Sequence, residues 1–428
     1  MNRSVPFLLG AALLVFLGCD SGPGVKNFIA VPLKETVFLT WFDPPREEAG
    51  DLSHIEISFS PETGTAQPLI VPLGRQEVLI EGLRSGVDYS FSARTVDVKG
   101  RRGGRVRPLV HDVYIAGYLT SERWRPQAVC WKNGVPQSLG RGSRASALGV
   151  SGGEVYVAGC DEGGLPAIWH RGRWKGLDLP RSVKGGFVCA LVLSAGDVYA
   201  AGELLSASWT AFPCYWKNGE RFALAHPLGD MAGAYALALG GDNLYAAGLR
   251  RPRRESPGAP RLWKNGELVE IPGFVSGALY CAAAAGDDVY AGGALYTEEL
   301  TRAVYVKNGE LVTLSGDRRN ALVMALTLSG SHVYAGGRDG MAAVYWRDDE
   351  EVVLSTVPVG SPLGSGGIVR GIAVVTEDAV SGPLVLAVGE DQKDGGCTAR
   401  LWACGRVFPL DESGRYSSAT AITVAPRS

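Results

Sequence analysis

Residues Tyr215–Glu220 read YWKNGE, and nearly the same letters return as CWKNGV from Cys130, LWKNGE from Leu262 and YVKNGE from Tyr305. Asn-Gly accepts φ > 0 at both central positions of a two-residue turn. The type I′ turn that results has the twist two antiparallel strands require. One hairpin is therefore written four times. Relaxed copies keep the tryptophan and loosen the turn: WHRG at Trp169, WRDD at Trp346 and WACG at Trp402. A second motif runs ahead of each turn. DVYIAG, EVYVAG, DVYAAG, NLYAAG, DVYAGG, HVYAGG and LVLAVG place their first core residues at Val113, Val155, Val198, Leu244, Val289, Val333 and Val385, which are 42, 43, 46, 45, 44 and 52 residues apart.

That spacing is the length of a four-stranded propeller blade. Each unit reads as an inner strand such as SALGVS, CALVLS, YALALG or MALTLS, a Gly/Asp/Ser-rich corner, the VYxAG strand, a variable loop, an aromatic-ended strand, the turn and an outer strand. Small residues at one inner-strand position, Ala147, Ala190, Ala236, Cys281 and Ala325, suit strands crowded about an axis. The six tryptophans Trp131, Trp169, Trp216, Trp263, Trp346 and Trp402, with Val306 in the fifth unit, are expected to pack between neighbouring units. The first VYxAG strand lacks an inner strand before it. AITV at Ala421–Val424 aligns with ALTL at Ala325–Leu328, so the carboxyl terminus is expected to supply that strand and close the ring, leaving no open edge. The fold class expected is all-β, a sandwich followed by a seven-bladed β-propeller closed by the C-terminal strand. Fifty-eight glycines and 24 prolines suit many short strands and tight turns.

The units resemble tandem repeats of the VYVAG/YWKNG type in exported bacterial proteins and, more loosely through the glycine pair of VYAGG, kelch repeats. That resemblance implies a propeller and transfers no binding residues. From Val25 to about Val110, the runs VFLTWFDPP, HIEISFSP, EVLIEGL and VDYSFSARTVDVKG alternate apolar and polar residues as sandwich strands do. The segment resembles a fibronectin type III domain, with Trp41 as its early core tryptophan and Leu83, Gly86 and Tyr89 as its tyrosine corner. A spacer role is what that resemblance implies, and no R-G-D tripeptide supports an integrin-type contact.

The amino terminus, MNRSVPFLLGAALLVFLGCDSG, holds an apolar run from Val5 to Gly18, too short to span a bilayer core of about 30 Å. FLGC at Phe16–Cys19 resembles the bacterial lipobox, although Phe16 stands where leucine is usual. The resemblance implies a signal peptide over 1–18, acylation of Cys19 and a lipidated tether over 19–24. The sandwich then covers 25–110 and the propeller 111–428. It places the protein in the cell envelope, held to the outer membrane or the periplasmic face of the inner membrane through the lipid. Seven cysteines remain, an odd number. Their slots in inner strands and beside tryptophans suit buried apolar residues, with Cys397 and Cys404 the one pair close enough to suggest a bridge.

A formal charge of −2 sets up no general field for phosphate backbones, which disfavours nucleic acid as a partner, and none is expected. The five histidines are scattered, with no H-E-x-x-H or H-x-H spacing, and no G-x-S-x-G, Walker, dinucleotide or sialidase-type motif stands out. No enzyme, metal or cofactor is therefore expected. Asp112, Asp197 and Asp288 recur with the repeat and read as turn residues. Loops between second and third strands share a face with the inter-blade connections, and function is expected there. Trp124, Trp209 and Tyr296, read as loop residues, and Arg251, Arg253, Arg254, Arg318 and Arg338 are the candidate contacts, being types that carry interface hot spots. The expectation is a monomeric, non-enzymatic module that binds a protein partner or scaffolds envelope assembly, as known propeller lipoproteins do. The alternative is an enzyme or carbohydrate binder using the axial pocket.

Overall fold

The computed structural model describes residues 23–64, 67–84, 86–120, 125–140, 142–227, 230–251, 258–316, 320–355, 366–375, 383–393, 396–413 and 416–427. Cys19, Trp124, Arg253, Arg254 and Arg318 lie outside the described residues. The chain divides into two compact units, one formed by Met1–Ala30 with Phe38–Leu109, the other by Val31–Val37 with Val110–Ser428. Among the described residues the fold is almost wholly β, with one single-turn helix at Arg46–Ala49. No helix in those residues is long and apolar enough to cross a membrane.

In the first unit, Leu69–Pro72, Leu52–Ser60 and Ser90–Asp97 form a three-stranded sheet in that order, antiparallel throughout. Alternation along Leu52–Ser60 buries Ile55, Ile57 and Phe59 and turns their neighbours outward, as a sheet with one packed face requires. Trp41 is fully buried and meets Phe28 edge-on, with centroids 6.1 Å apart. The Tyr89 hydroxyl accepts the backbone N–H of Arg84 at 3.0 Å.

The second unit contains six four-stranded antiparallel sheets, each of four consecutive strands. Met231–Gly240, Asn243–Arg251, Ala259–Lys264 and Glu267–Val269 form one of them. A further set is assembled from both ends of the unit. The last strand, Ser417–Pro426, pairs antiparallel with Leu109–Thr120, setting Ile422 against Ile115 and Val424 against Val113, and Leu109–Thr120 continues to Pro126–Lys132 and Val135–Ser138. The inner strands Gly142–Ser151, Val183–Ser194, Met231–Gly240, Gly277–Ala285, Leu322–Ser329, Gly366–Val374 and Ser417–Pro426 each touch the next, and the last touches the first. A closed ring of radially stacked four-stranded sheets is a β-propeller.

The recurring letters now have physical reasons. In the four Asn-Gly turns both residues sit at positive φ: 52° and 78° at Asn133–Gly134, 54° and 92° at Asn218–Gly219, 53° and 92° at Asn265–Gly266, 51° and 93° at Asn308–Gly309. Each asparagine also ties its turn to the second strand. Its Oδ1 accepts the N–H of Val113, Val198, Leu244 or Val289 at 2.8–2.9 Å. Its Nδ2 donates to Asp112, Asp197, Asn243 or Asp288 at 2.7–2.9 Å. The lysine before the asparagine lies over the tyrosine of VYxAG, 5.2 Å from the Tyr114 ring and 5.3 Å from that of Tyr199. WKNG and DVY thus form one cassette. The relaxed copies exchange partners within it: His332 stands in the aspartate's place and pairs at 2.6 Å with Asp348, which replaces the asparagine.

Trp131, Trp216, Trp263, Trp346 and Trp402 are buried to within 2%. Three of them donate their indole N–H to a carbonyl of the preceding sheet's outer edge, Trp131 to Leu410, Trp216 to Asp178 and Trp263 to Ala225. Trp169 departs from this expectation. It is only half-buried, and Trp174 on the neighbouring outer strand makes the corresponding bond, to Leu139 at 2.9 Å.

The suggested Cys397–Cys404 bridge is not formed. Cys397 is buried within its strand while Cys404 stands exposed in the following turn, and neither is in a disulfide. The remaining cysteines in the second unit behave as small apolar residues. Burial pushes the thiols of Cys130 and Cys214 up to about 12 and that of Cys160 up to about 11, which keeps them protonated and inert near neutrality.

Candidate functional site

Each inner strand slips register by one residue against the VYxAG strand, at Ala145/Ala147, Val188/Ala190, Ala234/Ala236, Leu279/Cys281, Val323/Ala325, Val369/Gly371 and Ala419/Ala421. The slip is a β-bulge, in which two residues face one and the extra side chain is re-aimed. The glycine ending VYxAG permits it. At Gly117, Gly159, Gly202, Gly248, Gly293, Gly337 and Gly389, a Cβ would collide with an inner-strand carbonyl oxygen. The small residue after each bulge has a packing reason too. A Cβ at Gly371 would lie 3.0–3.1 Å from the backbone of Ala421 and Ile422 on the adjoining inner strand.

The bulged residues are Ser146, Cys189, Tyr235, Tyr280, Met324, Arg370 and Thr420, and all of them line a central cavity of about 660 Å³. Along that column the repeats disagree in size, polarity and charge, as they also do two residues earlier at Arg144, Phe187, Gly233, Ala278, Leu322, Ile368 and Ser418. A volume of this order suits a small molecule or a few side chains of a partner.

Charged groups from the ends of the second strands gather around this column. Tyr235 and Tyr280 stack with centroids 6.2 Å apart, and the Tyr280 hydroxyl meets that of Tyr296 at 2.9 Å. The Arg251 guanidinium donates to the Tyr235 hydroxyl at 2.9 Å, and that hydroxyl donates to Glu203 at 3.4 Å. Burial raises the Glu203 carboxyl above its usual range, against the pull of Arg251 and of Tyr235. Arg370 grips Glu390 through Nε at 3.0 Å and Nη2 at 2.7 Å, and Ser418 donates to the same carboxylate. Arg144 lies over the Tyr118 ring at 5.0 Å. Arg338 has a buried Nε–H with no acceptor among the described residues. Burial and the neighbouring charge of Arg370 both push its guanidinium below its ordinary value.

The structure places the sequence candidates in two settings. Arg251 and Tyr296 end strands Asn243–Arg251 and Asp288–Tyr296, and Arg338 lies within His332–Asp339. Tyr296 is therefore a strand residue rather than a loop residue, half-buried against Tyr280. Trp209 stands apart, 71% exposed on the loop between the second and third strands of its sheet. Its φ of 59° is held by a serine–threonine turn in which Trp209 N–H donates to Ser206 O at 2.9 Å and Thr210 N–H to Ser206 Oγ at 3.1 Å. Sequence reasoning missed Arg144, Glu203, Tyr235, Tyr280 and Arg370. The signal available was the variable column just before the small residue of each inner strand. Among the described residues no group of three or more His, Cys, Asp or Glu side chains is placed to hold a metal ion.

No protein-family model matches the chain, and no curated protein matches it. Solved structures do. The β-propeller domain of the Trilobed protease from Pyrococcus furiosus aligns at 11% identity and TM-score 0.37, over 80% of this chain and 99% of that one. TolB from Acinetobacter baumannii aligns at 8% and 0.38, over 80% and 81%. Apo AztD from Citrobacter koseri aligns at 10% and 0.38, over 79% and 95%. At such identities and scores the likeness transfers no activity to this chain.

Proposed function

We propose that this chain is a non-enzymatic binding protein of the bacterial envelope, lipid-anchored at Cys19, in which a fibronectin type III-like module precedes a seven-bladed propeller that engages a protein partner through its loop face. The lipobox-like FLGC supports the anchor. Trp41 and the Tyr89–Arg84 bond support the fibronectin-like reading, since a tyrosine hydroxyl bonded to backbone a few residues upstream is that corner's signature. The closed sequence of inner strands supports seven blades and C-terminal closure.

One observation carries the binding reading: a variable column that holds Tyr235, Tyr280 and Arg370, with Arg144 and Arg251 beside it, is displayed at the axis of a repeated scaffold, while Trp209 is held exposed in a positive-φ turn on a loop of the same end. Arginine, tyrosine and tryptophan are the side chains from which interface hot spots are built. Glu203 and Glu390 are engaged by Tyr235 and Arg370, which suits recognition better than acid–base turnover. The raised Glu203 carboxyl favours a second reading, hydrolysis or glycan binding in the axial pocket.

The test is crosslinking capture from intact cells with the wild-type chain, with Trp209→Ala and with Tyr235→Ala plus Arg251→Ala. Loss of one specific partner in both variants is the expected result. A capture profile identical in all three refutes the assignment. Glu203→Gln discriminates the second reading, because hydrolysis by the wild type that this variant abolishes would establish catalysis.

A further inference from the structure

We infer that the axial mouth holds an oxyanion, a carboxylate or phosphate group, among the guanidinium groups of Arg251, Arg338 and Arg370. This deepens the reading of the mouth as the binding face and rests on it. Three arginines line the cavity, Arg144, Arg251 and Arg370, against one lining carboxylate, Glu203; Arg338 stands behind that lining, near enough to feel the charge of Arg370, and Glu390 pairs with Arg370. Glu390 is consumed by its bidentate pair with Arg370. Burial raises the Glu203 carboxyl, which accepts from Tyr235 and is drawn down by the charge of Arg251. That leaves excess positive charge in a partly enclosed space. Arg338 makes the case sharpest. Its Nε–H is buried without an acceptor among the described residues, and the charge of Arg370 acts on it unfavourably. Such a group is costly unless an anion completes it, and guanidinium forks are the donors suited to planar or tetrahedral oxyanions. The Tyr235 and Tyr280 hydroxyls stand beside the forks as further polar partners.

Two features separate a binding site from a structural cluster. Among the described residues the Arg251 guanidinium bonds a neutral hydroxyl, that of Tyr235, and no carboxylate, which leaves its charge available. Arg370 lines the cavity while anchored from behind by Glu390, which fixes its orientation. A bound anion therefore meets arginines already in place, with little ordering left to do.

The experiment is calorimetric titration and thermal melting of the full chain with citrate and with pyrophosphate at constant ionic strength, with mannitol as the uncharged control. Saturable binding of citrate points to a carboxylate ligand and of pyrophosphate to a phosphate ligand, and either supports the site. In Arg338→Met, affinity should fall at least about tenfold. The same variant should melt no lower than wild type in anion-free buffer, because an uncompensated guanidinium has been removed. A merely structural arginine would lower the melting temperature instead. Should Arg338→Met fold poorly, Arg251→Met and Arg338→Lys carry the same comparison, since both keep more of the local packing. The inference is overturned if neither anion binds saturably up to about 10 mM, or if binding is unchanged in Arg251→Met and in the Arg338 variant that folds. Failure here with partner capture still sensitive to Trp209→Ala would sink the oxyanion and spare the binding face. Anion binding with capture indifferent to both Trp209→Ala and the Tyr235/Arg251 pair would do the reverse.

Discussion

The turn end of each repeat and the bulge column at the axis belong to the same sheets, yet they diverge in opposite ways. At the turn end, lysine, asparagine and aspartate recur, and the substitutions keep the bond, as Asn243 still accepts from Asn265 and His332 pairs with Asp348. At the bulge the seven residues share almost nothing. The turn cassette has partners inside its own sheet, so a substitution there must keep its half-buried polar groups paired, by itself or with a matching change. The bulged side chains face the cavity and answer to whatever enters it. Uniformity marks what builds the sheet, and variation marks what the ring presents.

The largest expected effect comes from breaking the closure on which both regions depend. Ending the chain at Tyr416 removes the inner strand and the Arg427 guanidinium that reaches Asp112. The melting temperature should fall by on the order of 10 °C or more, read by circular dichroism. An unchanged melting curve would contradict ring closure.

Next in size, Gly248→Ala drives a methyl group into the Gly233 carbonyl. Overpacking of this kind costs about 1–3 kcal/mol and occasionally more. Gly176→Ala, where an added Cβ meets nothing and φ is ordinary, should stay within about 0.5 kcal/mol. Equal effects in urea melts would remove the bulge argument.

Asn265→Ala loses the bond to Leu244 N–H and puts alanine at φ 53°, for an expected loss of about 2 kcal/mol. The acid dependence belongs to the same cassette. Burial disfavours the Asp112 anion, but Arg427, Asn133 and Lys132 outweigh it and hold the carboxyl below its ordinary 3.8. A depressed folded value contributes stability above the unfolded one and loses it as pH falls through the folded one. Melting temperature should therefore drop below about pH 4, and Asp112→Asn should flatten that drop while lowering the plateau near neutrality.

Much of the fold was legible because spacing and Asn-Gly chemistry are local. A period of four strands, an αL-tolerant turn and a C-terminal fragment matching an inner strand need no knowledge of contacts. The site was less legible. Reading YALALG as an evenly alternating strand assigns faces by parity, and a single extra residue at Tyr235 reverses that parity on one side of the bulge. Tyr296 looked like a loop residue because the strand before it runs longer than its motif. The arginines were visible as a class, but their convergence depends on strand ends brought together round the axis, which no spacing reports. Trp169 deceived in another way: its repeat carries a second tryptophan, Trp174, on the opposing outer strand, and that one takes the bond between sheets.

A small stability effect and the largest binding effect should coincide in one protein. In Cys189→Ser/Tyr235→Ser/Tyr280→Ser/Met324→Ser the bulge column is levelled toward Ser146 and Thr420, with Arg370 kept on Glu390. Measuring melting temperature and partner capture together on this variant is the direct test. The account predicts a ring that melts within about 5 °C of wild type and no longer retains its partner; a collapsed ring, or an intact one that binds as before, would contradict it.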